Sequence, residues 1–94
     1  MCEPTYFEVA YEINAWMHVD QPVDVELAQR QWQAVRDTYS ELGYTINLIQ
    51  PVRGLPDMVF AANGALVVDG KVFSTHFGAH ATERFNETRY FEDW

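Results

Sequence analysis

Apolar and polar positions along the chain follow two periods, and each predicts a different kind of element. Val25, Ala28, Trp32, Val35, Tyr39 and Leu42 recur at alternating spacings of three and four, which on a helix makes one stripe on one face. Gln29, Gln33, Arg36 and Glu41 fall on the other side. Pro22 lies just ahead, Asp24 suits the N-cap, Glu26 suits the positive end, and Gly43 supplies the stop. The pattern predicts a helix over 24–42 whose apolar stripe is buried against a sheet.

The remaining runs read as extended or irregular. Residues 4–10 and 44–50 mix β-branched and aromatic types and predict two strands. With the helix between them they form a strand–helix–strand pattern, which favours parallel pairing and a right-handed crossover. Tyr11 to Gln21 shows no persistent period, and 51–56 is a breaker-rich loop. Met58 to Ala62 is apolar throughout and predicts a strand closed by Asn63-Gly64. Residues 65–68 and 71–75 flank Asp69-Gly70, the signature of a hairpin with a type I′ turn. A loop over 76–82 leads into a second helix from Glu83 to Trp94, anchored by Phe91 and Trp94. No C-cap or strand follows that helix, whereas domain ends are more often polar and fraying.

Composition narrows the function classes. Ninety-four residues suffice for one small domain, and a hydrophobic share of 48% indicates a folded piece. A formal charge of -8 argues against nucleic acid, whose phosphates demand a basic patch. No apolar run approaches the roughly 20 residues of a membrane span. Met1-Cys2-Glu3-Pro4 lacks the features of a signal peptide, so a cytoplasmic protein is the expectation. The single cysteine, Cys2, cannot form an internal disulfide and reads as a small buried strand residue rather than a nucleophile. His76 and His80 stand four apart in a loop with no third ligand nearby, which predicts no metal site.

The loop Gly54 to Gly64 carries the candidate chemistry. Asp57 follows a proline and precedes the apolar run, which would set its carboxylate at the mouth of a strand, with Asn63 and Gly64 at the far end. Chemistry alone leaves two readings open. These are polar groups at a functional loop edge, or an Asx-type turn at Asp57 and a second turn at Asn63-Gly64.

Leu55-Pro-Asp-Met-Val-Phe-Ala-Ala-Asn63 resembles the LPDMVFTAN-type motif of dimethylargininase-like and amidinotransferase-like members of the pentein superfamily. Met1-Cys-Glu-Pro-Thr-Tyr-Phe-Glu-Val9 is similar to the strand that opens those proteins, and Tyr11-Glu-Ile-Asn-Ala-Trp-Met17 to their YxINPWM segment. The resemblance covers essentially the whole chain. It implies an α/β fold, a partial β/α propeller of about one ββαβ-type unit plus the start of the next. It also implies chemistry in which a cysteine thiolate attacks a guanidinium carbon and a histidine moves protons.

Site residues follow by the same resemblance. Asp57 matches the guanidinium-binding aspartate, Phe60 the aromatic wall and Asn63 the last polar position. Asn14 matches the asparagine of the INPWM segment. Arg84 resembles an arginine that binds a substrate α-carboxylate, with Arg89 as competitor. Ala62 and Asn63 replace the two acidic residues of dimethylargininases, and an amide there resembles the arginine dihydrolase branch. Ala15 and Ala61 replace the usual proline and threonine. The family's histidine and cysteine lie downstream, so this chain alone is expected to be inactive, without cofactor. It would bind a guanidino substrate, arginine or methylarginine. The alternative is an inactive fragment or interaction module that self-associates through exposed sheet edges.

Overall fold

The best-specified element of the sequence is also the most regular one in the structure. In the computed structural model, which describes residues 1–94, helix α1 spans Val25–Glu41. The Asp24 carboxylate accepts the Leu27 amide at 2.8 Å and caps the N-terminus. At the other end Gly43 adopts φ +87°. The Gly43 amide then donates to Ser40 and the Tyr44 amide to Tyr39, each at 3.0 Å. That pair of bonds is a Schellman motif. The rings of Tyr39 and Tyr44 meet edge to face, 5.8 Å between centroids, as the hydrophobic contact that accompanies it.

Of the two strands expected around α1, 4–10 is absent and 44–50 is reduced to a single parallel bridge, Ile49 to Cys2, just ahead of the expected first strand. The Ile49 amide donates to the Met1 carbonyl at 2.9 Å, and the Met1 ammonium donates to Asn47 at 2.6 Å. The parallel sense matches the sequence expectation; the length does not. Pro4 has no N–H to extend a ladder, and its carbonyl instead accepts the Phe7 amide in a turn.

The apolar run 58–62 is not a strand. It forms two short 3-10 helices, Pro56–Val59 and Ala61–Asn63. Pro56 sets a helical φ at the first position, and amides of Met58, Phe60, Asn63 and Gly64 each donate three residues back. An apolar run carries no period of its own, so it does not distinguish strand from helix.

The hairpin is as expected. β1, Ala65–Val68, pairs antiparallel with β2, Lys71–Ser74. Asp69 and Gly70 both take positive φ, as a type I′ turn requires. The second helical region begins as a 3-10 helix, Thr82–Glu87, and becomes α2, Thr88–Glu92. The architecture is thus mixed α/β, with one long helix and a small antiparallel sheet.

Packing is uneven. Cys2, Leu55 and Met58 form the core, backed by Ile49, Val52 and Tyr90. Only 12 of 94 residues are buried, and the radius of gyration, 14.1 Å, exceeds the roughly 12 Å of a compact chain this long. The hairpin packs against α2 and the 61–63 turn, and nothing packs extensively against α1. The stripe expected to be buried is therefore open. Trp32 is buried, but Val25, Val35, Tyr39 and Leu42 are exposed, because a two-stranded sheet turned towards α2 offers α1 no surface. On the hairpin, Val67 and Val72 line an apolar cavity of about 140 Å³ with Phe91 and Trp94, yet both stand exposed, as do Leu66 and Phe73, paired across the strands on the other face.

Gly64 is required for its size. A Cβ there would lie 2.5 Å from the ring of Phe91. Gly64→Ala is expected to destabilise the chain by about 1–3 kcal/mol through overpacking, read as a lower denaturation midpoint at unchanged m-value.

Candidate functional site

Three segments far apart in sequence meet in one buried polar cluster. Asp57 is 4% exposed, Arg84 7% and Glu87 0%. The 3-10 geometry of Thr82–Glu87 turns Arg84 and Glu87 to the same side. Arg84 Nε and Nη2 donate to the two carboxylate oxygens of Glu87 at 3.0 and 2.8 Å, a bidentate fork. Nη2 also donates to the Asp57 carbonyl at 3.2 Å, and Nε lies 3.7 Å from Asp57 Oδ2. The Tyr11 hydroxyl donates to that same oxygen at 2.7 Å. The guanidinium carbon sits 4.3 Å from the ring centroid of Phe77, a cation–π contact.

The electrostatics follow from burial. Desolvation, reinforced by the bond to Asp57, raises the Tyr11 phenol well above its ordinary value, so its hydroxyl stays a donor. For Arg84, desolvation opposes the charge, but the bonds to Glu87 and the field of Asp57 outweigh it and leave the guanidinium more firmly protonated. Cys2 stands apart from this cluster. Burial pushes its thiol from 9.0 up to about 11, so at neutral pH it is not a thiolate nucleophile.

An open cavity of about 440 Å³ lies beside the cluster, lined by Asn63, Thr75, Phe77 and Arg84 among others. The structure thus brings Asn63 and Arg84 to one cavity and sets Asp57 directly behind Arg84. Asp57 is on a 3-10 turn, not at the mouth of a strand. Phe60 does not line this cavity; it is half-exposed and packs edge to face on Phe7, 5.5 Å between centroids. Asn14 is exposed, and its side chain accepts the Trp16 amide at 3.0 Å in a local turn. Arg89 lies outside the cluster, with its guanidinium donating to the Tyr90 hydroxyl.

Two members of the cluster were not singled out from the sequence. Glu87 carried a readable signal, three residues beyond Arg84 in a helical segment. Tyr11 stands as the tyrosine of the YxINPWM-like segment, but nothing in the sequence pairs it with Asp57, 46 positions away.

No protein-family model matches the chain. Solved structures do. The N-terminal domain of ArgZ, a cyanobacterial arginine dihydrolase solved with substrate, matches with a TM-score of 0.86 and 36% identity, over 100% of this chain and 34% of that one. AgrE in complex with L-arginine matches with a TM-score of 0.90 and 35% identity, over 100% and 14%. The chain is a homologue of the dimethylargininase and arginine dihydrolase proteins and matches their pentein-like N-terminal portion. In particular, it is 44% identical over 94 residues to a dimethylarginine dimethylaminohydrolase of Mycobacterium tuberculosis, covering 100% of this chain and 30% of that relative. It is 37% identical over 95 residues to the bifunctional arginine dihydrolase/ornithine cyclodeaminase ArgZ of Synechocystis, covering 100% of this chain and 13% of that relative.

Two outcomes test the cluster. Glu87→Gln is expected to cost about 3–5 kcal/mol, the loss typical of a broken buried pair, measured by urea denaturation. Cys2 should resist alkylation at pH 8 in the folded chain and react on unfolding. Because its folded pKa lies above the ordinary 9.0, its contribution to stability is full below pH 9 and is lost as pH rises through about 11.

Proposed function

We propose that this chain is the N-terminal, substrate-binding part of a guanidine-modifying hydrolase whose cysteine nucleophile lies outside these 94 residues. In this reading the chain contributes one unit, and the start of the next, to a β/α propeller. One observation carries the proposal. The buried cluster holds two carboxylates, Asp57 and Glu87, against one guanidinium, Arg84, so it is one positive charge short of balance beside an open cavity. A planar cation with several N–H donors supplies that charge and suits a carboxylate acceptor.

In the proposed site Asp57 receives the substrate guanidinium. Glu87 occupies two of the Arg84 nitrogens, but no hydrogen bond within the chain uses Nη1, which leaves a donor for a substrate carboxylate. Asn63 faces the same cavity, and its amide can donate and accept. That favours arginine over a methylated arginine, since a second hydrolytic step needs a group able to orient water. A relative with one asparagine changed to serine was solved covalently bound to a reaction intermediate, which supports an asparagine acting after the nucleophile attacks. Phe60 and Asn14 lie away from this cavity, Phe60 against Phe7 and Asn14 in an exposed turn, and take no part in the proposed site.

A second reading rests on a different observation. The exposed stripe of α1 and the exposed outer face of the hairpin are apolar surfaces of the kind that neighbouring propeller units cover. An inactive module that assembles with such units, or with itself, would present the same faces.

L-arginine titrated into the isotopically labelled chain is expected to shift the resonances of Asp57, Asn63 and Arg84, while the chain alone releases no citrulline, ornithine or ammonia. Turnover by the isolated chain would overturn the external nucleophile. Absence of shifts at these residues would favour the second reading.

A further inference from the structure

We infer that Tyr11 is the positioning residue for the Asp57 carboxylate, holding it in the one orientation that offers an oxygen to an incoming guanidinium. The inference rests on the reading that Asp57 receives that guanidinium.

The donors around Asp57 set the argument. Arg84 is the nearest cation, yet Nε is engaged by Glu87 Oε1, and Nη2 divides between Glu87 Oε2 and the Asp57 carbonyl. At 3.7 Å the Arg84 Nε contributes charge to Asp57 Oδ2 but no hydrogen bond. The Tyr11 hydroxyl is the sole hydrogen-bond donor to the Asp57 side chain within the chain. It takes Oδ2, on the side facing Arg84, and no bond within the chain takes Oδ1. The Oδ1 atom thus has no partner within the chain, and it is not among the fully buried polar atoms left without one.

A carboxylate that is 4% exposed with no donor would turn towards whatever polarity it could find, since an unpaired buried charge is costly. The phenol prevents this. Its hydroxyl remains protonated because burial and the Asp57 carboxylate both disfavour the phenolate. Tyr11 thus separates the two effects on Asp57: Arg84 balances its charge from a distance, and the phenol fixes its rotation. The carboxylate is not consumed by the chain's own guanidinium and stays available to one from outside.

The test is an NMR titration of L-arginine into the full chain, compared with Tyr11→Phe, Tyr11→His and Asp57→Asn. Tyr11→Phe keeps the ring and is expected to weaken binding about tenfold, the scale of one charge-assisted hydrogen bond. The melting temperature and the Arg84 Nε–H resonance should stay close to wild type. Tyr11→His keeps a ring donor and is expected to recover part of the loss. If Tyr11→Phe binds as tightly as wild type while Asp57→Asn does not bind, the positioning role is overturned and the Asp57 reading stands. If Asp57→Asn binds like wild type, that reading falls and the inference with it. If Tyr11→Phe loses its folded spectrum, or if Tyr11→His binds no better than Tyr11→Phe, Tyr11 serves packing and not orientation.

Discussion

The Arg84 guanidinium is the constraint on which the rest of the structure depends. A charge this buried needs its N–H donors directed at acceptors, and here they reach two segments at once. Two nitrogens close on Glu87, which fixes the 82–87 turn, and one of them continues to the Asp57 carbonyl, which fixes the loop at 55–60. With that turn in place, the Thr88 hydroxyl reaches the Thr75 carbonyl at 2.8 Å and joins α2 to the end of the hairpin. Phe91 then lies against Gly64, where no side chain could stand. The small hydrophobic core of Cys2, Leu55 and Met58 is thus supplemented by a polar one.

What the sequence revealed and what it concealed divide along physical lines. Helix α1 and the hairpin were legible because their signals are local. Caps, the Gly43 stop and the Asp69-Gly70 turn act within a few residues of one another. The runs 4–10 and 44–50 do not form the expected strands, since β-propensity expresses a fit to neighbouring strands; 44–50 has one bridge, at Ile49, and 4–10 has none. The 58–62 run was misread because apolarity without a period fits a 3-10 turn behind Pro56 as well as a strand. Among the site residues, Asn63 and Arg84 line one cavity with Asp57 buried behind Arg84, and Phe60 and Asn14 lie away from it. The role of Tyr11, which the sequence shows only as a motif tyrosine, is not legible there, because a hydrogen bond across 46 positions leaves no local trace.

The uncovered faces have an energetic meaning. On α1 an amphipathic stripe is formed, capped at both ends and left open apart from Trp32. Its helicity therefore depends on capping, i,i+4 pairs such as Glu26–Arg30 and propensity, more than on tertiary burial. The hairpin is left open on both faces, with Leu66, Val67, Val72 and Phe73 all exposed although Phe91 and Trp94 lie beside one side of it. The chain spans 30% of the dimethylarginine dimethylaminohydrolase it matches. Surfaces of this kind are what the remainder of such a protein would have to meet.

The excursion through α1 is closed at both ends of the first eleven residues. Met1 bonds to Asn47 and Tyr11 to Asp57, each across 46 positions. Bringing such distant residues together costs about 3 kcal/mol in chain entropy for the first closure. The second follows from ends already held near each other and costs far less. The two contacts therefore behave as a single latch. The first eleven residues dock as one strip, and the carboxylate at the centre of the candidate site keeps its bearing only while that strip is fastened.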